Sequence, residues 1–219
     1  MTRSAPADLA IFDLDGVIVD SREAVRTAVN RTLVDHGFEP RPPAELDRFI
    51  GPPVPGAFAE LTAHAADSAL VAACVDTYHG HYAAVYLELT TLVPGIREVL
   101  GRLALPLAIA TAKPVDFVAP LLERLGIAGH FRFTSAQAMS ALGEPKAMIV
   151  ARVLHALGAT RAVLIGDRSF DVEAAHANGV RAIGVTWGIG DRAELADAGA
   201  EMIIDRPPEL LRLLTPAVR

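Results

Sequence analysis

Two aspartates, Asp13 and Asp15, follow the apolar run Leu9–Phe12 and precede Gly16. The run has the length of a buried strand, and a glycine after it is typical of a turn. Both carboxylates are therefore expected at the carboxyl end of a strand, the edge at which open parallel sheets bind ligands. Like charges so close repel each other unless a cation joins them. We interpret the pair as half of a metal site; an acidic turn after an edge strand is the alternative.

Four further polar side chains stand where predicted strands end or helices begin. Thr111 and Asp167 each follow a short apolar strand, Asp171 lies one helical turn beyond Asp167, and Lys146 opens a helix. Right-handed crossovers bring the carboxyl ends of parallel strands to one edge, so these groups are expected to meet Asp13 there. Each alone has an ordinary explanation, such as a helix cap or a solvated helix end. Together they indicate a site.

The elements that must position these groups have the order of an α/β protein with a helical insertion. Residues 20–91 show helical patterns and no strand pattern, whereas helices and strands alternate from residue 92 onwards, as in a parallel sheet covered by helices. We predict a Rossmann-like core domain of residues 1–19 and 92–219 and an all-helical domain of residues 20–91.

Three segments lack a periodic pattern. Residues 49–56 are rich in proline and glycine and are predicted to form an ordered loop. Residues 137–145 are predicted to form a loop that leads to the helix of Lys146. The stretch Trp187–Gly190 is interpreted as loop packing after a strand, and a contact with the helical domain is the alternative.

Composition excludes several classes of function. The chain has 219 residues, of which 52% are hydrophobic, and this is enough to bury a full core. Its formal net charge of −6 argues against a surface that binds duplex nucleic acid, because such binding depends on clustered cations. A single cysteine, Cys74, excludes an internal disulfide, and no run has the roughly 18 apolar residues of a membrane span. We expect a cytoplasmic protein, monomeric or homodimeric, that binds neither nucleic acid nor membrane.

Lysine is rare in this chain. Of 20 basic residues, only Lys113 and Lys146 are lysines, and the others are arginines. Lysine is a compact point charge that fits beside a phosphate without the bulk of a guanidinium. The bias is also explained by codon usage, but the two positions that kept lysine are candidates for the site: Lys146 opens a helix beside the strand ends, and Lys113 lies beside the site, either in it or only at its rim.

The order Asp13-Leu-Asp15-Gly, Thr111, Lys146 and Gly166-Asp167-Arg-Ser-Phe-Asp171 resembles the four motifs of the haloacid dehalogenase (HAD) superfamily. The match spans nearly the whole chain, and the helical insertion resembles the small cap of subclass I members. Phe49-Ile-Gly-Pro-Pro, Thr111-Ala-Lys-Pro114 and Gly166-Asp-Arg resemble the branch of phosphoglycolate phosphatases and related phosphatases. Val17, where many members have Thr, and Ala112, where this branch often has Ser, are departures.

The resemblance implies hydrolysis of a small-molecule phosphate monoester through an aspartyl-phosphate, with Mg²⁺ as cofactor. It implies that Asp13 is the nucleophile and that Asp15 protonates the leaving oxygen and then deprotonates water. The implied Mg²⁺ ligands are the Asp13 carboxylate, the Asp15 backbone carbonyl and Asp167, with Asp171 orienting bound water. The groups expected to contact the phosphate or the substrate are Gly16, Thr111, Ala112, Lys146 and, from the cap, Arg48.

Two other functions remain open. A phosphomutase of the same superfamily uses the same Asp-x-Asp-Gly-Val stretch and forms the same intermediate. A non-catalytic phosphometabolite-binding protein is the remote alternative. A dehalogenase is disfavoured because it has no use for Asp15 as an acid or for Mg²⁺. The sequence leaves the physiological substrate open.

Overall fold

The computed structural model describes residues 7–139 and 143–214 of the chain. The chain divides into two compact units, Met1–Val19 with Leu92–Arg219 and Asp20–Thr91. Of the loop predicted at residues 137–145, residues 140–142 lie outside the described residues.

The described strands are β1 (Leu9–Phe12), β2 (Val19–Asp20), β3 (Thr91–Leu92), β4 (Leu107–Pro114), β5 (Phe131–Gln137), β6 (Ala162–Gly166), β7 (Arg181–Val185) and β8 (Met202–Ile204). The described α-helices are α1 (Arg22–Asp35), α2 (Pro43–Leu46), α3 (Val54–Thr62), α4 (Ala69–Leu89), α5 (Ile96–Arg102), α6 (Val115–Arg124), α7 (Lys146–Leu157), α8 (Ser169–Ala177), α9 (Arg192–Asp197) and α10 (Glu209–Leu214). Short 3₁₀ helices cover Asp47–Phe49 and Ala128–His130.

The first unit is built on a parallel sheet with the strand order β5-β4-β1-β6-β7-β8. Every residue of β1 and β6 is buried, as expected for central strands that helices cover on both faces. The chain winds from β1 to β4 and β5 on one side and to β6, β7 and β8 on the other. This order creates a topological switch point beside β1, where open sheets bind ligands. The predicted α/β fold class is confirmed.

Two helices, α7 and α8, pack against the central strands of the sheet, next to β1. Helices α7 and α8 contribute Ile149, Val150, Val153, Val172 and Ala175 to a buried cluster that includes Leu9 and Ile11 of β1. Apolar residues at helical spacing give each helix one buried face, and burial of that face fixes its first turn over the carboxyl edge of the sheet.

The second unit is helical and has its own core. Helix α1 buries one stripe of small and branched residues, and α4 buries Tyr78, Tyr82 and Tyr86, whose rings stack at centroid distances of 5.7 and 5.5 Å. The loop predicted at residues 49–56 is too long, because α3 begins at Val54 with Pro55 in its first turn, where proline is tolerated. In the described part of the chain, no helix combines the length and apolar character needed to cross a membrane.

Candidate active site

Asp13 is the first residue after β1 and lies beside β6. Its N–H donates to the Ile165 carbonyl at 2.9 Å, which continues the β1–β6 ladder by one residue. Phe12 is aligned with Ile165, so Asp13 and Asp167 leave neighbouring strands at nearly the same level. Asp13 is buried. It therefore lies at the carboxyl edge of the sheet, at the switch point between the two halves.

Lys146 is the first residue of α7, and its side chain is only 6% exposed. It shares the buried face of that helix with the residues three, four and seven positions further on, Ile149, Val150 and Val153. Its Nζ lies 2.6 Å from Asp13 Oδ1 and 3.0 Å from Asp171 Oδ1. One buried ammonium therefore joins a carboxylate from β1 to a carboxylate from α8.

Asp13, Asp167 and Asp171 form a buried acidic cluster, in which one oxygen from each lies within 4.8 Å of the others. Burial raises the pKa of Asp13 to about 7, although Lys146 acts to lower it. Burial, followed by the charges of Asp171 and Asp13, raises the pKa of Asp167 well above its usual value. Burial acts to lower the pKa of Lys146, but the charges of Asp13 and Asp171 together outweigh it, and the pKa is raised. Three carboxylates against one ammonium favour a cation at the cluster.

Lys113, which the sequence places beside the site, contacts Asp15, a contact that was not predicted. Its side chain is 5% exposed, and Nζ lies 3.0 Å and 3.1 Å from the two carboxylate oxygens of Asp15. Of the two positions that the sequence leaves open for Lys113, the contact with Asp15 favours the one inside the site over the rim. The signal was present in the lysine count, since both lysines of the chain contact aspartates of the Asp13-Leu-Asp15 stretch.

Gly16 shapes the loop after β1. Its φ is +82°, and a Cβ at this position would lie 2.2 Å from Asp167 Oδ2. Both the turn and the close approach of Asp167 require glycine. The Gly16 N–H donates to the Val19 carbonyl at 2.8 Å. The phosphate contact expected of Gly16 stays a prediction.

Thr111 and Ala112 lie near the carboxyl end of β4. Thr111 is buried, and its Oγ1 accepts from the Lys113 N–H at 3.1 Å, while Ala112 is half-buried. Their contacts with a phosphoryl group stay predictions. Arg48 belongs to the helical unit, where it pairs with Glu60, donates from Nε to the Glu45 carbonyl at 3.3 Å and is exposed. Its role as a substrate contact also stays a prediction.

Another charged pair, between Arg168 and Glu194, supports the turn after β6. Arg168 Nε and the Ser169 N–H both donate to Glu194 Oε1, at 2.9 and 2.7 Å. These donors hold the pKa of Glu194 below its usual value against the opposing effect of partial burial. Glu194 lies 26 residues beyond Arg168 in the chain, and no motif in the sequence connects the two.

Residues 10–185 match the model of the haloacid dehalogenase-like hydrolase family. The chain belongs to this family. A phosphoglycolate phosphatase from Cupriavidus necator is 31% identical over 99% of this chain and 96% of its own length. A 5′-nucleotidase from Pseudomonas aeruginosa is 30% identical over 84% of this chain and 85% of its own.

The fold of this HAD chain also matches that of solved structures. The crystal structure of a predicted phosphatase from Clostridium acetobutylicum superposes with a TM-score of 0.88, at 28% identity over 95% of this chain and 98% of that one. The resemblance to the HAD superfamily and to its phosphoglycolate phosphatase-like branch is thus confirmed. The relatives are phosphate monoester hydrolases, which confirms the predicted enzyme class.

The residues of this HAD chain fit the Mg²⁺ that its family membership implies. Mg²⁺ is a hard cation that prefers oxygen ligands, and the cluster offers carboxylate oxygens. Asp167 Oδ1 is buried and has no hydrogen-bond donor among the described residues, although buried polar atoms are normally paired. Both oxygens of Asp171 contact protein groups instead, Oδ1 with Lys146 and Oδ2 with the Arg168 N–H. Asp167 is therefore better placed than Asp171 to receive an ion directly.

Proposed function

We propose that the chain hydrolyses a small-molecule phosphate monoester in a Mg²⁺-dependent reaction in which Asp13 is the nucleophile. The observation that carries the proposal is the position of Lys146 Nζ, 2.6 Å from Asp13 and 3.0 Å from Asp171, within a buried cluster of carboxylates. Lys146 stabilises the anionic form of Asp13 and also offsets the charge of an approaching phosphate. Phosphate monoesters hydrolyse very slowly in water, so such charge stabilisation is needed.

The reaction has two steps, transfer of the phosphoryl group to Asp13 and hydrolysis of the resulting aspartyl-phosphate. First, a carboxylate oxygen of Asp13 forms a bond to phosphorus while the bond from phosphorus to the leaving oxygen breaks, and Asp15 gives its proton to that oxygen. Second, Asp15 takes a proton from water as the water oxygen attacks phosphorus. The bond to Asp13 then breaks, which releases phosphate and regenerates the carboxylate.

Several other residues support these steps in the proposal. Asp13 and Asp167, with the Asp15 backbone carbonyl, hold Mg²⁺, which when bound supplies positive charge against the phosphoryl oxygens. Thr111 and the Ala112 N–H bind phosphoryl oxygens. Residues 20–91 act as a cap over the leaving group, with Arg48 as a substrate contact.

The substrate proposed is a phosphoglycolate-like or nucleotide-like monoester. The relatives are named for phosphoglycolate and for 5′-nucleotides, which share the phosphate monoester and differ in the leaving group. We propose that the enzyme acts in the cytoplasm, in keeping with the single cysteine of the chain.

The test is phosphate release from a panel of phosphoglycolate, nucleoside 5′-monophosphates and sugar phosphates, with Mg²⁺ and with EDTA. We expect Mg²⁺-dependent release, and we expect Asp13→Asn to retain less than about a tenth of it, because an amide cannot form the acyl-phosphate. Circular dichroism and thermal melting check that the variant is folded. Higher retained activity would refute Asp13 as the nucleophile, and conversion of a sugar phosphate without phosphate release would indicate a phosphomutase.

A further inference from the structure

The segment Trp187–Gly190, which follows β7, wraps closely around Asp167. The Ile189 N–H donates to Asp167 Oδ2 at 2.7 Å. A Cβ on Gly188 would lie 2.2 Å from that oxygen, and a Cβ on Gly190 would lie 2.1 Å from the Asp167 carbonyl oxygen. Non-bonded atoms do not approach so closely, so glycine is required at both positions. A stretch that the sequence suggested was loop packing thus contacts both the carboxylate and the backbone of Asp167.

These contacts treat the two oxygens of Asp167 differently. Oδ2 is held by the Ile189 N–H and lies between two glycines, because a Cβ on Gly16 would also be 2.2 Å from it. Oδ1 has no hydrogen-bond donor among the residues that the structure describes. The terminal torsion of an aspartate is ordinarily broad. Here the backbone of another loop selects one orientation and leaves Oδ1 for a ligand.

The same segment is hydrogen-bonded to the loop that carries Asp13 and Asp15. The Trp187 Nε1–H donates to the Val17 carbonyl at 3.2 Å. The segment therefore contacts both Asp167, after β6, and the loop after β1. It thus contacts both chain segments that contribute to the acidic cluster, the one after β1 with Asp13 and the one after β6 with Asp167.

We propose that Gly188, the Ile189 N–H and Gly190 are positioning groups that orient Asp167 Oδ1 toward the ion. This inference rests on the proposed function, because the ion is the Mg²⁺ proposed above. A carboxylate that is already oriented loses little torsional freedom when it binds a cation. Partners that orient metal ligands in this way typically contribute about 10-fold to 100-fold in metal affinity.

The experiment measures Mg²⁺ binding without turnover. Trp187 is the only tryptophan in the chain and lies next to Gly188, so its fluorescence reports on the segment during a Mg²⁺ titration. We expect Gly188→Ala to raise the Mg²⁺ dissociation constant about tenfold or more. Gly129→Ala is the matched control, because Gly129 has open space where a Cβ would be, and it is expected to bind Mg²⁺ like the wild type.

A second variant removes the donor without adding a methyl group. An ester in place of the amide between Gly188 and Ile189 deletes the N–H, and we expect a similar loss of Mg²⁺ affinity, with the fold checked by circular dichroism. This variant decides the question if Gly188→Ala does not fold. Wild-type Mg²⁺ affinity in the ester variant overturns the inference while the proposed function stands. Absence of Mg²⁺ binding by the wild type itself overturns both.

Discussion

Lys113 Nζ lies 3.0 Å from one oxygen and 3.1 Å from the other oxygen of Asp15, so one buried ammonium spans the whole carboxylate. The contact arises because β4 continues to Pro114, beyond the apolar run that predicts it. Thr111 and Lys113 are buried and Ala112 is half-buried, in a stretch where the pairing of β4 with β5 is irregular. The Lys113–Asp15 pair fixes the position of the carboxylate proposed to transfer protons.

We expect Lys113→Arg to lower kcat/KM by at least about tenfold, because a guanidinium is wider than an ammonium and displaces Asp15 from a site with little free space. Steady-state kinetics on phosphate release is the measurement. Arg102→Lys, a cation exchange in an exposed pair with Glu98, is the control and is expected to be silent. Equal activity of Lys113→Arg and wild type would show that the contact with Asp15 is incidental.

The pKa of Asp13, raised to about 7 from 3.8, predicts how the stability of the metal-free protein depends on pH. The folded state keeps a proton on Asp13 that the unfolded chain has already released. Stability from this group is present below about pH 4 and is lost as the pH rises through about 7. Asp13→Asn has no such titration. In EDTA, the wild type should therefore lose stability relative to this variant as the pH rises. The difference in melting temperature, variant minus wild type, should increase between about pH 5 and about pH 8.

The control for this pH series is Glu123→Gln, which changes an exposed carboxylate on α6. We expect its melting temperature to follow that of the wild type across the same range. A constant difference between Asp13→Asn and wild type at all pH values would contradict the raised pKa.

Beryllium fluoride with Mg²⁺ imitates a phosphoryl group on a carboxylate, so we expect it to raise the melting temperature of the folded protein. Asp167→Ala should abolish the rise, because it removes the oxygen best placed to receive the ion. Asp116→Ala, which changes an acidic residue in the first turn of α6, should keep it. A full wild-type rise in Asp167→Ala would exclude Asp167 as a ligand.

Much of the site was predictable because its main residues stand at strand ends or helix starts. Asp13, Asp167 and Lys146 occupy such positions, and the parallel topology alone brings them to one edge. Two features were only partly predictable. The lysine count singles out Lys113, but its contact with Asp15 depends on how far β4 extends beyond its apolar run. The donor to Asp167 is a backbone N–H at Ile189, and a backbone donor has no residue-type signal apart from the glycines beside it.

Lys146→Arg tests the most specific claim about the site. Lys146 Nζ contacts Asp13 at 2.6 Å and Asp171 at 3.0 Å, and the side chain is 6% exposed. A guanidinium has the same charge but needs more space, so it shifts at least one of the two carboxylates. A displacement near one ångström costs on the order of a hundredfold in rate, and we expect a loss of at least about tenfold in kcat/KM, which corresponds to about 1.4 kcal/mol of transition-state stabilisation.

Arg181→Lys provides the matched control for Lys146→Arg, since Arg181 forms an exposed pair with Glu201 and should exchange with little effect. The loss in Lys146→Arg should appear in kcat, because Lys146 contacts Asp13, the proposed nucleophile, in addition to its proposed contact with the phosphate. If KM alone rises and kcat is unchanged, Lys146 contributes uniform binding of the phosphate rather than stabilisation of the transition state. If neither constant changes, the site accepts a guanidinium in place of the Lys146 ammonium, and the proposed placement of the nucleophile by Lys146 is refuted.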